Sequence, residues 1–159
     1  MILATARVLR NVIEIKVGDA LWECRPVQSE QQGVGAAVAA LFSTEYHTFL
    51  PGRPAEVHST VTYLRKNDEI RIQVGDQRWR TVSQPLGPMT VDYNGVHLTI
   101  NERLTGRFGI LRGNESVATV QLGFRSCRLE GYPSELEPFF ANLALGYVIR
   151  TLTWETFFA

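Results

Sequence analysis

The chain has 159 residues, and its sixteen basic side chains are balanced by sixteen acidic ones. A length of this order fits a single domain, 1–159, whose one core buries roughly two thirds of the unfolded surface. A formal charge of zero gives no whole-molecule field toward nucleic acid or an anionic membrane, so no nucleic-acid partner is expected.

Cys24 and Cys127 are the only two cysteines, too far apart for a zinc-ligand pair and too few for a disulfide scaffold. Both are expected as reduced, buried thiols, and no cofactor is expected. Met1 to Arg7 lacks a basic region followed by a sustained apolar core, so it does not read as a signal peptide, and a cytoplasmic location is expected. The sequon Asn114-Glu115-Ser116 is read as chance.

Short alternating apolar runs separated by Gly-Asp, Asn-Asp and Asn-Gly pairs predict a meander of β-hairpins. Ile13, Ile15 and Val17 lead through Gly18-Asp19 into Ala20 to Cys24. Ser29-Glu30-Gln31-Gln32 then has capping-box spacing, and Val34, Val38, Leu41 and Phe42 follow at helical spacing, which predicts a short helix near residues 29–43. The run from Gly33 to Val38 is not a dinucleotide fingerprint, because Val38 stands where a third small residue belongs and no strand leads into it.

Glu45-Tyr46-His47 and Glu56-Val57-His58 flank Leu50-Pro51-Gly52-Arg53-Pro54. If they form a hairpin with its axis between Pro51 and Gly52, Glu45 faces His58 and His47 faces Glu56, all on one face. Two imidazoles and two carboxylates so gathered suit zinc, iron or manganese. Two cross-strand acid–histidine pairs on a solvated sheet are the preferred reading of the same register.

Farther on, Val61 to Arg65 leads through Asn67-Asp68 into Ile70, Ile72 and Val74, and Gly75-Asp76 returns through Trp79 to Val82. This register puts Tyr63, Ile72 and Trp79 in one core row. It puts Leu64, Arg71 and Arg80 in a row on the opposite face, with Thr62, Gln73 and Arg78 in the next. Guanidinium groups at this spacing suit phosphate or carboxylate, because each offers a planar fork of donors. A solvated face that keeps a sheet soluble carries the same pattern and is the simpler reading.

Met89 to Tyr93, Asn94-Gly95 and Val96 to Ile100 predict a two-residue hairpin pairing Tyr93 with Val96, Val91 with Leu98 and Met89 with Ile100. Asp92 then faces His97 on the other side, the geometry of a catalytic dyad and equally of an exposed cross-strand pair. Arg107 to Leu111 and Val117 to Leu122 form the last pair. Ser134 and Glu137 have capping-box spacing, Pro138 sits in the first turn, and the run to Ile149 carries no charge, which predicts a helix over Leu136 to Leu152. Its side chains are apolar all round, so it is expected inside the protein. The uncharged stretch falls well short of the roughly 20 residues a bilayer requires, so no transmembrane span is expected.

The segment Leu104-Thr105-Gly106-Arg107-Phe108-Gly109-Ile110, the polar loop, Val117-Ala118-Thr119-Val120, one further strand and the terminal helix together resemble the C-terminal third of LURP-one-related and phospholipid-scramblase-like proteins of the tubby-like fold. That resemblance implies a barrel of about a dozen strands around a buried helix. It also implies a family whose better-known members act at membranes or bind phosphoinositides. No functional residue is carried over, because a lipid-modified cysteine cluster, an acidic calcium loop and a long basic groove are all absent from the sequence.

The expected fold class is therefore mainly β: an antiparallel meander closing into a barrel or strongly curved sheet around a hydrophobic C-terminal helix. Gly-x-Ser-x-Gly, His-Glu-x-x-His and phosphate-loop motifs are absent, and no catalytic residue is assigned. The expected function is a non-enzymatic binding or interaction module, with Arg71, Arg78 and Arg80 meeting an anionic small molecule, a lipid headgroup or an acidic protein. The alternative is a small metal-dependent or acid–base enzyme built on Glu45, His47, Glu56 and His58.

Overall fold

A computed structural model describes residues 2–10, 12–27, 43–85 and 87–158. Thirteen antiparallel strands run in these residues: β1 (Ile2–Leu9), β2 (Val12–Val17), β3 (Ala20–Pro26), β4 (Ser43–Phe49), β5 (Ser59–Leu64), β6 (Glu69–Val74), β7 (Gln77–Arg80), β8 (Val82–Gln84), β9 (Gly87–Tyr93), β10 (Val96–Ile100), β11 (Arg107–Arg112), β12 (Glu115–Gly123) and β13 (Ser126–Tyr132). One helix, α1 (Glu137–Phe158), follows a 3₁₀ turn at Ser134–Leu136. The helix predicted near residues 29–43 lies outside the described residues, except for Ser43, which opens β4.

The sheet is a meander whose first and last strands also pair, β1 with β13. Its two nominal edges, β7 and β8, are the halves of one run, Gln77 to Gln84, bent at Thr81. The first half pairs with β6 and the second with β9. At the bend, the Thr81 amide donates to the Ile70 carbonyl at 2.9 Å and the Ile70 amide donates to Thr81 Oγ1 at 3.0 Å. A bend of this kind lets one strand serve both sides, so the sheet nearly closes and its edges are largely removed. Across the remaining seam, Trp79 of β7 stacks on Tyr93 of β9 with ring centroids 4.6 Å apart.

Strand alternation determines which side chains face the axis. In β5, Ser59, Val61 and Tyr63 point inward while Thr60, Thr62 and Leu64 point out. Ile15, Ile70, Ile72, Leu98, Ile100, Ile110, Val120 and Leu129 point inward from other strands and are almost wholly buried. They close on α1, in which every residue from Phe139 to Ile149 is buried. The helix is apolar on all sides because it has protein on all sides. Among the described residues, no helix is long and apolar enough to cross a membrane.

Polar bonds fix the helix at both ends. Near its start, Ser59 Oγ donates to Asn142 Oδ1 at 2.6 Å, the Thr48 and Ser59 hydroxyls are bonded, and Asn142 Nδ2 donates to the Pro138 carbonyl at 2.6 Å. Near its end, Trp154 Nε1 donates to the Tyr63 hydroxyl at 2.9 Å, and that hydroxyl donates to Asp68 at 2.6 Å. Arg150 grips Glu102 with both terminal nitrogens, one at 2.9 Å. Such bidentate pairs define orientation as well as adding energy.

Two registers differ from the expectation. The row predicted as Tyr63–Ile72–Trp79 is Val61–Ile72–Trp79, and Tyr63 faces Ile70. The reason is the β5–β6 connection: Arg65–Asn67 forms a 3₁₀ turn and Asp68 adopts a left-handed conformation (φ 47°), so four residues connect the strands instead of two. A slip of two residues keeps each side chain on its predicted face. The β4–β5 pairing differs more consequentially: Glu45 faces Thr62 and His47 faces Thr60.

Candidate functional site

That pairing leaves Glu56 and His58 in the β4–β5 connection, off the ladder that holds Glu45 and His47. The proposed axis between Pro51 and Gly52 is not the axis of the hairpin, because the pairing of Thr48 with Ser59 across the nine-residue loop 50–58 sets it two residues later, between Arg53 and Pro54. The Glu45, His47, Glu56 and His58 set is therefore not brought together. Among the described residues, no group of three or more histidine, cysteine, aspartate or glutamate side chains could hold a metal ion. His58 instead packs edge-on against Trp22, ring centroids 5.0 Å apart. Burial there pushes its imidazole below the ordinary value, partly offset by the nearby Glu56 carboxylate.

The Asn94-Gly95 hairpin has the predicted register, so Asp92 faces His97 and their side chains bond at 2.8 Å. Both are exposed on the outer wall. Cys24 and Cys127 are free thiols; Cys127 is buried and Cys24 partly so, and burial pushes Cys24 up to about 12. At that value the thiolate is scarce near neutral pH, which suits a packed side chain and not a nucleophile.

The arginines converge as expected. Arg71 of β6 faces Arg80 of β7, and Gln73 faces Arg78, so the two cross-strand rows on the outer wall are Glu45–Thr62–Arg71–Arg80 and His47–Thr60–Gln73–Arg78. Opposite Cβ atoms in such rows are about 5 Å apart and diagonal ones about 7–8 Å, which puts all three guanidinium groups within reach of one oxyanion. They line a depression of about 520 Å³ together with Thr60, Thr62 and Glu45.

One member of this site was missed by sequence reasoning. Glu69, buried to 4 % exposure although it is on the outer wall, sits between Arg71 at 3.2 Å and Arg80 at 3.7 Å. It lies two residues before Arg71 on the same strand, so strand parity alone puts it on the arginine face. Its carboxylate holds two of the three guanidinium groups in place and cancels part of their charge. Arg78 makes no ion pair among the described residues. Each guanidinium carries five N–H donors, so Arg71 and Arg80 keep donors free beyond those facing Glu69. The depression thus offers convergent hydroxyl and guanidinium donors on a rigid sheet, with Glu45 and Glu69 limiting the positive surplus to one charge.

No family model, no curated protein and no solved structure matches the chain.

Proposed function

We propose that the chain is a non-enzymatic binding module that takes an anionic group, phosphate or carboxylate, on the outer wall of β5, β6 and β7. The group would be presented by a small molecule, a lipid headgroup or an acidic protein. The observation that carries this reading is the convergence of Arg71, Arg78 and Arg80 on one depression, with Arg78 free of any ion pair among the described residues. Occupation of the barrel axis by α1 supports an external site over an internal one. The ring of strands around a terminal helix also supports, within the same proposal, the resemblance to the tubby-like fold.

Binding of inorganic pyrophosphate, followed by titration calorimetry, tests the site. Arg78→Gln is expected to weaken binding at least about ten-fold, since a hydrogen bond to a charged group is worth about 1.5–3 kcal/mol, and to leave the melting temperature unchanged. Replacing Arg71 and Arg80 together with Glu69 unchanged is unsuitable, because it would orphan the buried Glu69 carboxylate. Glu69→Gln, made together with their replacement by Gln, avoids that loss. Equal pyrophosphate binding by parent and Arg78→Gln refutes the site.

A further inference from the structure

The zero formal charge conceals an asymmetry along the barrel axis. At the end where α1 terminates, the described turns carry Arg10, Arg65, Lys66, Arg103 and Arg125 against Asp68 and Glu102. At the opposite end they carry Asp19, Glu56, Asp76 and Glu135 against Arg53. A surplus of three positive charges at one end mirrors three negative charges at the other. Separation of charge on this scale orients a neutral molecule in an external field.

Exposed apolar side chains gather at the positive end. Three neighbouring connections form a continuous stretch of its rim: the β1–β2 turn, the β12–β13 turn and the β10–β11 loop. They adjoin because the Val8 amide donates to the Arg125 carbonyl at 3.0 Å and the Leu122 amide donates to the Gly106 carbonyl at 2.6 Å. Along this stretch Leu104 is fully exposed, Phe124 is 85 % exposed and Val12 is 60 % exposed, with Leu9 beside them. Arg10, Arg103 and Arg107 are interleaved among these tips and make no ion pair among the described residues. Arg125 is held by Glu155 at 2.9 Å.

Apolar tips on separate loops, each with an arginine beside it, fit a soft charged surface better than a flat protein one. The core of a protein interface is depleted of charge, because charges there lose their water. At a bilayer surface the apolar tips enter the boundary between headgroups and acyl chains while arginines stay at phosphate level. We propose that this rim docks the barrel end-on onto an anionic lipid bilayer, with Phe124 and Leu104 inserted and Arg10, Arg103 and Arg107 against lipid phosphates. The acidic end then points away from the surface. This site is separate from the arginine wall and does not depend on it.

Flotation of the full chain with vesicles tests the proposal. The parent is expected to float with vesicles of phosphatidylcholine mixed with phosphatidylglycerol, to remain behind with phosphatidylcholine alone, and to lose binding as salt is raised. The double variant Phe124→Ser, Leu104→Ser is expected to weaken binding at least about ten-fold, as is Arg10→Gln, Arg103→Gln, which also flattens the salt dependence. All four positions are on exposed turns, so circular dichroism should show both variants folded. Arg53→Gln, an exposed position at the opposite end of the barrel and outside both sites, is expected to float as the parent does. Three results would overturn the inference: no flotation of the parent on anionic vesicles, unchanged binding by the tip variant, or full competition by soluble glycerophosphoglycerol. Self-association of the parent that the tip variant abolishes, without vesicle binding, would make the rim a protein interface instead.

Discussion

Gly146 brings α1 close against Ile70 of β6, and a single methyl group there probes the packing of helix on sheet. A Cβ built on Gly146 would lie 2.5 Å from Ile70 Cγ2 and 3.3 Å from its Cδ1. Ordinary carbon contacts are about 3.5–4.0 Å, so Gly146→Ala demands a displacement of about 1 Å. Ile70 has little room to yield: it is fully buried, and its branched Cβ keeps Cγ2 close to the β6 backbone. A clash this short belongs in the upper part of the overpacking range, about 2–3 kcal/mol, while alanine gains about 1 kcal/mol over glycine within a helix. The packing cost should win by about 1–2 kcal/mol, which at about 2–4 °C per kcal/mol for a domain of this size lowers the melting temperature by about 2–8 °C. In an Ile70→Ala background the obstructing atoms are gone, and the same substitution should stabilise by about 1 kcal/mol through helix propensity. Urea unfolding of the four proteins should therefore give a coupling energy of about 2–3 kcal/mol between the two positions. A Gly146→Ala protein more stable than the parent would refute the close approach of helix and sheet.

Leu143→Asp should abolish soluble folding, because an unpaired carboxylate at this fully buried position costs several kcal/mol against a total stability of about 5–15; a soluble variant with native near-ultraviolet circular dichroism would disprove the central-helix arrangement. His58 should make the protein acid-sensitive. Its folded-state pKa is lowered by burial, so the unfolded chain binds the proton more readily, and stability that is constant well above about pH 6.5 declines as the pH falls below it. The urea midpoint of His58→Gln should decline less between neutral and mildly acidic pH, and identical declines in the two proteins would remove His58 as the cause.

Legibility of this fold followed the length of its connections. Asn94-Gly95 is a two-residue turn with both residues at positive φ, 47° and 84°, and such a turn defines the register of the strands on either side. The pairs Val91–Leu98 and Asp92–His97 were therefore readable directly, as was Arg71 opposite Arg80 across Gly75-Asp76. Where the connection was longer, composition lost its hold. The 3₁₀ turn at Arg65–Asn67 displaced the β5–β6 register by two, which preserved the faces and hence the arginine cluster. The nine residues between β4 and β5 determined no register at all, and the Glu45, His47, Glu56 and His58 arrangement depended entirely on one. Glu69 was visible by strand parity but passed over, because an acidic residue does not suggest itself as part of a cationic site until its two partners are seen around it. The docking rim could not be read locally, since Leu9, Leu104 and Phe124 are brought together only by the pairing of β1 with β13 and β12 with β11.

The position of α1 in the chain has a consequence for biosynthesis. On a ribosome the strands emerge before the helix they enclose, so Tyr63, Trp79, Leu98 and Ile110 have no native partner along the barrel axis until α1 has been made. Pairing of β1 with β13 must likewise wait for most of the chain. Nascent chains in this state expose apolar strands at length, the condition under which chaperones are engaged and aggregation competes. Loss of α1 from a finished transcript would leave every strand intact in sequence and remove the element around which they assemble.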